Sequence, residues 1–319
     1  MVSWVGFSAL LVLAASHEMS ATLSPTFYDD SCPDLKWIVD SVLQAALLKD
    51  PRIGAKLLRM HFHDCFVQGC DASVLLDEAQ GEKTAQPNLN SLMGFDVVDS
   101  IKSAVESACP GIVSCADILA VAAEVSVVLA GGPSWKVLLG RRDSLTGSKR
   151  LANRDIPPPT STFSQLVKAF KKKGLSAEDM IVLSGGHTIG ASRCASFTQR
   201  LYNQSGSFQA DPTIEKRYLF NLQQVCPRNG DGNVTQSLDF SPRSFDNNYY
   251  KLVVSNLGLL NSDQVLTTQS QGSAALVSAL SRDQTSFFNR FAVSMVKMGN
   301  ISPLVGNKGE IRNKCRYRN

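Results

Sequence analysis

Hydrophobic residues along this chain recur mostly at the three-to-four-residue spacing of a helix and seldom in the alternation of a half-buried strand. Residues 35–48 carry such a stripe and stop near Asp50-Pro51. A second helix is predicted from there, with Ile53, Leu57, Leu58 and Phe62 on its apolar side and a proline at its start. Residues 81–93, interrupted by Pro87, Asn88 and Asn90, predict a loop. Phe95, Val98, Ile101, Val105 and Ala108 predict a helix closed by Cys109-Pro110-Gly111. Residues 115–130 are apolar around most of the circumference, the mark of a central buried helix, and end at Gly131-Gly132-Pro133.

Residues 135–160 lose the periodicity, and Pro157-Pro158-Pro159 holds its part of the chain extended as a stiff rim or linker. Thr162 and Gln165 form a capping box ahead of the stripe Phe163, Leu166, Val167 and Phe170, which Gly174 ends. Ser176, followed by Glu178 and Asp179, opens another helix running into Gly185-Gly186-His187. Residues 200–245 are polar and rich in Gly and Asn, which predicts loops, short helices and a small hairpin. Two helices close the chain, one at 273–280 and one bearing Phe287, Phe291, Met295 and Met298. The expected class is mainly α with little β.

Composition narrows the setting. The 319 residues are 44% hydrophobic and 19% charged, as in an ordinary globular chain. The formal charge of +4 is dispersed, and the run Lys171-Lys172-Lys173 solvates a helix end; no nucleic-acid motif occurs. An apolar run at residues 5–15, followed by small and polar residues to Ala21, has the shape of a secretory signal peptide. One domain is then expected at 22–319, and no later segment is apolar enough to span a bilayer. Eight cysteines, all beyond residue 21, read as four disulfides with 105 pairings open, and the absence of any C-x-x-C pair argues against zinc. Sequons at Asn203, Asn233 and Asn300 agree with secretion, the last followed by Pro303.

The chemistry concentrates in residues 59–73. On a helix, Arg59 and His63 share one face, so a cation and a base address one small molecule. On a strand, His61 and His63 would instead form an H-x-H metal pair. Cys65 and Cys70 then enclose a tight loop with Asp64, Gly69, Asp71 and Ser73, an oxygen-rich setting suited to calcium. His187 follows two glycines that let a flat group approach the backbone, and Asp263 is a candidate acceptor for its second ring nitrogen.

With these residues in place, the chain resembles the secreted plant (class III) haem peroxidases over nearly all of residues 22–319. The motifs that carry the resemblance run in family order: 27–33 (FYDDSCP), 59–73, Glu82-Lys83, Pro87-Asn88, 113–117 (VSCAD), 140–143 (GRRD), 183–190 (LSGGHTIG), 245–250 (FDNNYY) and 258–264 (GLLNSDQ). The resemblance implies a fold in which distal and proximal helical halves sandwich haem b. His187 would be the axial iron ligand with Asp263 as its partner. His63 would move the proton of hydrogen peroxide, Arg59 would supply charge, and Asn88 would orient His63, with Glu82 linking it to the distal calcium. Phe62 would pack over the haem, and phenolic electron donors would bind at Pro157. The implied disulfides are Cys32–Cys109, Cys65–Cys70, Cys115–Cys315 and Cys194–Cys226. The third closes a loop of about 200 residues, which chain entropy values at roughly 5 kcal/mol.

Asp117 and Arg141 resemble the family's buried ion pair. Two calcium ions are implied as well. The distal set is Asp64, Val67, Gly69, Asp71 and Ser73, with Glu82 behind it; the proximal set is Thr188, Asp239, Ser241, Ser244 and Asp246. Asp239 stands two residues before Ser241, where the family shows three and a Thr, and Met93 stands where the family has an Arg. The expected protein is a secreted monomer acting on hydrogen peroxide and small phenols, without nucleic-acid or membrane partners. Two other classes compete: a calcium- or wall-binding protein without catalysis, which has no use for Arg59 with His63, and a metalloenzyme built on His61 and His63.

Overall fold

The computed structural model describes residues 22–319. The predicted leader at 1–21 lies outside the described residues. The amino-terminal half is built on α1 (Leu35–Lys49), α2 (Ile53–Cys65), α3 (Phe95–Ala108) and α4 (Cys115–Leu129), followed by the short α5 (Lys149–Asp155). The second half contains α6 (Phe163–Lys172), α7 (Ala177–Ser184), β1 (Ala191–Arg193), α8 (Thr198–Tyr202), α9 (Lys216–Val225) and β2 (Thr235–Ser237). It ends with α10 (Asn248–Val254), α11 (Asn261–Thr268), α12 (Gln271–Arg282) and α13 (Gln284–Gly299). The expected mainly helical class holds. The sole sheet among the described residues is the antiparallel pair β1 and β2.

Two helices position the site because each feeds two hydrophobic clusters. From α2, Leu57 and Met60 enter the cluster shared with α1, α3 and α4, while Leu58 and Cys65 enter the one built by α7 and α10–α13. Helix α4 does the same, with Ile118 and Val121 on one side and Ala123 and Val127 on the other. Its side chains are buried from Cys115 to Val127, as an all-round apolar sequence requires. The helix starts at Ser114, whose hydroxyl accepts from the Asp117 N–H at 3.1 Å. Removing a side chain such as Leu57, fully buried between α2 and its neighbours, costs about 2–5 kcal/mol in a core of this kind.

The capping boxes at Thr162/Gln165 and Ser176/Asp179 are both formed. Cys32–Cys109, Cys65–Cys70, Cys115–Cys315 and Cys194–Cys226 are bonded, the pairing the resemblance implied, and the described residues hold no free cysteine. Asp117 and Arg141 form a buried pair at 2.8 Å, and Asp117 also accepts from the Tyr28 hydroxyl and the Gly140 N–H. No helix among the described residues is long and apolar enough to cross a membrane.

Three expectations change. Residues 135–160 are not wholly irregular, because Ser148 caps the seven-residue α5. The elements α10 and α11 went unpredicted, being seven and eight residues long, too short for periodicity to register. The hairpin expected within 200–245 is instead a pairing of β2 with Ala191–Arg193, a long-range contact.

Candidate active site

Helix α2 places Arg59 and His63 one turn apart. The Arg59 guanidinium donates to the carbonyls of Ser91 (2.8 Å) and Pro87 (2.9 Å) and to the Ser91 hydroxyl (3.2 Å). Burial and the nearby Arg193 bring its pKa down to about 10, which leaves it cationic at neutral pH. His63 is buried, and its Nδ1 lies 2.5 Å from Asn88 Oδ1. The Asn88 amide donates to the Glu82 carbonyl at 2.9 Å, which fixes its oxygen toward His63. His63 Nδ1 therefore carries the proton, and Nε2 keeps a lone pair. Burial, then the Arg59 charge, holds the imidazolium well below the usual histidine range, with Asn88 opposing.

His61 goes elsewhere. It contacts Cys65 Sγ at 3.7 Å beside Gly299, and burial and Arg141 bring its pKa down to about 3. With its neighbours so different from those of His63, the H-x-H metal pair is not assembled. Phe62 is half-buried against Phe66 and Phe170, with ring centroids at 4.2 and 6.2 Å.

His187 lies in the turn after α7, and its Nδ1 is 2.8 Å from Asp263 Oδ1. A carboxylate only accepts, so this nitrogen too carries the proton, leaving Nε2 free for a metal. The His187 side chain is 40% exposed and Asp263 only 3%, so the carboxylate is shielded while the imidazole is open. Asp263 is held by the Leu260 N–H on Oδ2 (2.9 Å) and the Tyr249 hydroxyl on Oδ1 (3.1 Å). The two glycines before His187 differ in their surroundings. A Cβ at Gly185 would lie 2.5 Å from Phe287 and Tyr250, so that glycine is required by the core. A Cβ at Gly186 would meet Leu58 of α2 at 3.6 Å, an ordinary contact, so packing does not demand glycine at that position. A cleft of about 560 Å³ opens between the start of α2 and the β1–β2 pair, lined by Lys49, Arg52, Gly190, Ala191 and Arg243 among others.

The distal calcium candidates converge. Asp64 accepts from the backbone N–H groups of Ala72 and Val74, and Asp71 from that of Ser73. The Ser73 hydroxyl and Glu82 Oε2 are buried without a hydrogen-bond partner. Burial raises all three carboxyls, that of Asp64 strongly, Asp71 up to about 6 and Glu82 up to about 8. Orphaned oxygens among clustered acids suit a hard cation. Among the described residues no three His, Cys, Asp or Glu groups make a metal site by themselves, so hydroxyl and carbonyl oxygens must complete it. The Val67 carbonyl accepts from Lys173 Nζ at 3.1 Å, and Gly69 has φ +144° with a virtual Cβ 2.3 Å from the Ser302 carbonyl, so only glycine fits.

At the proximal set, Thr188 donates to Asp239 (2.9 Å) and Asp246 (3.1 Å), and Ser241 to Asp239 (3.0 Å) and Asp246 (2.8 Å). The shortened spacing before Ser241 does not prevent this convergence. Ser244 is exposed, its N–H bonded to the Ser241 carbonyl at 2.9 Å. Pro157 is half-buried beyond α5, and the proline rim is pinned to the helix carrying Asp263 by the Ser262 N–H on the Pro159 carbonyl, 2.9 Å. Sequence reading missed Ser91, Arg193 and Tyr249: the first anchors Arg59 partly through a carbonyl, which leaves no side-chain signature. Met93 is exposed, and nothing in the structure explains its replacement of an arginine.

Two imidazoles with Nδ1 fixed and Nε2 left basic, one beside a buried cation and one backed by a carboxylate, sit in a helical fold with four disulfides. This is an oxidoreductase of the peroxidase class. The chain belongs to the peroxidase family, whose model (described as "Peroxidase") matches residues 39–283. It is 54% identical to Peroxidase 9 of Arabidopsis thaliana over 300 residues, covering 92% of this chain and 87% of that one. It is 50% identical to Peroxidase 15 of Ipomoea batatas over 317 residues, covering 98% and 97%. Against the lignin-forming anionic peroxidase of Nicotiana tabacum it is 48% identical over 312 residues, 96% of each chain. Such relatives place it among the class III plant peroxidases, enzymes that use a haem cofactor, hydrogen peroxide and a reducing donor.

Proposed function

We propose that this peroxidase reduces hydrogen peroxide at a haem b held by His187 and oxidises small phenols by successive one-electron steps. The matched tautomers of the two histidines carry this reading: Asn88 and Asp263 each occupy an Nδ1, leaving one Nε2 as a base and the other as a ligand. Haem held there by His187 would supply the redox chemistry that links peroxide reduction to oxidation of a donor. His63 Nε2 takes the proton from the near oxygen of peroxide and returns it to the departing one, which leaves as water. Arg59, fixed by Pro87 and Ser91, places positive charge where the O–O bond polarises. Phe62, packed near Phe66 and Phe170, would lie over the haem, and Lys49, Arg52 and Arg243 at the cleft beside the start of α2 would offer cations to carboxylate groups.

Asp64, Val67, Gly69, Asp71 and Ser73, with Glu82 behind them, would hold one calcium; Thr188, Asp239, Ser241, Ser244 and Asp246 would hold the second. The first clamps the end of α2 and, through Glu82 and Asn88, the orientation of His63. Donors are assigned to the rim at Pro157, which is tied to the Asp263 helix; a phenolic class agrees with the name of the tobacco relative. Four disulfides favour an oxidising, extracellular setting for a single-chain enzyme. Asn233 and Asn300 are exposed and Asn203 half-buried, so all three sequons lie at the surface.

Haem reconstitution followed by absorption spectroscopy tests the ligand. A Soret band is expected in the native protein and its loss or displacement in His187→Ala. His63→Ala should slow peroxide-dependent guaiacol oxidation by at least about 10²–10⁴-fold. Unchanged turnover would refute the role given to His63.

A further inference from the structure

Asp263 Oδ1, the oxygen facing His187, takes a second hydrogen bond. It accepts from His187 Nδ1 at 2.8 Å and from the Tyr249 hydroxyl at 3.1 Å. Tyr249 and Asp263 are each 2% exposed, so water does not compete for either group. The tyrosine ring stands edge-on to the imidazole, with centroids 6.0 Å apart at 83°. The carboxylate's other oxygen is occupied independently by the Leu260 N–H at 2.9 Å. Its orientation therefore survives without the tyrosine, whereas the charge available to His187 does not stay the same.

We propose that Tyr249 is a positioning residue that weakens the electron donation of His187 by sharing the oxygen of Asp263. The proposal rests on His187 being the axial ligand of haem iron. A carboxylate oxygen that already receives an O–H donor carries less charge toward a second donor. His187 then keeps more of its Nδ1 proton, has less imidazolate character, and binds the iron less strongly through Nε2. Asp263 alone would push electrons toward the metal; Tyr249 limits that push.

The sign of the effect separates this role from simple packing. Tyr249→Phe keeps the ring and removes the hydroxyl, so in the haem-loaded protein the iron–histidine stretching frequency should rise and the ferric/ferrous midpoint potential should become more negative. Asp263→Asn removes the charge and should move both in the opposite direction. Tyr250→Phe is the control: its hydroxyl donates to the carbonyls of Ile181 (3.1 Å) and Val182 (3.0 Å) and not to Asp263, so it should lower stability and leave both readouts in place. Tyr249→Leu, a second hydroxyl-free variant, should shift them as Tyr249→Phe does.

No shift in Tyr249→Phe, or a shift in the direction of Asp263→Asn, overturns the proposal while leaving the axial assignment standing. Retention of the same iron–histidine band in His187→Gln overturns that assignment itself, and the proposal with it.

Discussion

Replacing Asn88 by valine removes the acceptor of His63 Nδ1–H while approximately keeping the volume of the side chain. This acceptor, 2.5 Å from the ring, selects the tautomer and, in the proposed mechanism, would steady the positive charge that His63 acquires when it takes a proton. A hydrogen bond to a charged group contributes about 1.5–3 kcal/mol. At about 1.4 kcal/mol per factor of ten, its loss from the transition state should slow the reaction with peroxide about 10- to 150-fold. That lies below the full loss expected for His63→Ala, because the imidazole remains. The pH profile should move as well. Burial and Arg59 hold His63 well below the usual histidine range, whereas Asn88 raises it. The rate should thus be flat through neutral pH and fall as pH falls through that lowered pKa. In Asn88→Val the plateau should drop and the acid limb move to still lower pH, since the group that favoured the imidazolium is gone. Stopped-flow decay of the resting Soret absorbance under excess peroxide, taken at a series of pH values, reads both quantities. A plateau within twofold of the native value, or an acid limb displaced upward, would refute the reasoning. The Glu82 carbonyl loses its donor in the same variant, so thermal unfolding must accompany the kinetics.

Asp117→Asn strands the Arg141 guanidinium, 2% exposed, without its ionic partner and should cost about 3–5 kcal/mol; denaturant midpoints at unchanged slope will measure it, and a cost below about 1 kcal/mol refutes the pair's importance. Chelating calcium should lower Tm by several degrees, since a ligand at a hundredfold excess over its Kd stabilises by about 2.7 kcal/mol, and added calcium should restore it; insensitivity to chelator argues against both sites. Burial raises Asp179, but bonds from Lys297, Ser176 and Ser294 outweigh it and hold the pKa to about 2. Its folded pKa is thus depressed, so its stabilisation is present above pH 4 or so and lost as pH falls toward 2; Asp179→Asn should flatten that part of the stability curve, and an unchanged acid limb removes Asp179 from the account.

Much of the site was legible because its residues are local. Arg59 and His63 lie one helical turn apart, and the apolar stripe from Ile53 to Phe62 fixes that helix. The loop from Asp64 to Ser73 is closed by a five-residue disulfide and so carries its candidate oxygen ligands within one short stretch. The buried character of α4 and both capping boxes follow from spacing alone for the same reason. Helices α5, α10 and α11 were not visible, because seven or eight residues give too little periodicity and their ends are fixed by distant partners, such as the Pro159 carbonyl for Ser262.

Sequence by itself determined the helical class, the residues with chemistry and, through resemblance, the disulfide pairing and the family. Tertiary structure decided which hydrogen bonds each imidazole makes. Asn88 lies 25 positions from His63 and Asp263 lies 76 from His187, yet these contacts set which nitrogen of each ring carries the proton. The same is true of His61, two residues from His63, which its neighbours Cys65 and Gly299 turn into a structural group. Tyr249 stands in a readable motif, but only the packing of α10 against α11 brings its hydroxyl to Asp263. Protonation state and hydrogen-bond direction depend on neighbours far along the chain, and those come together only when the chain is folded.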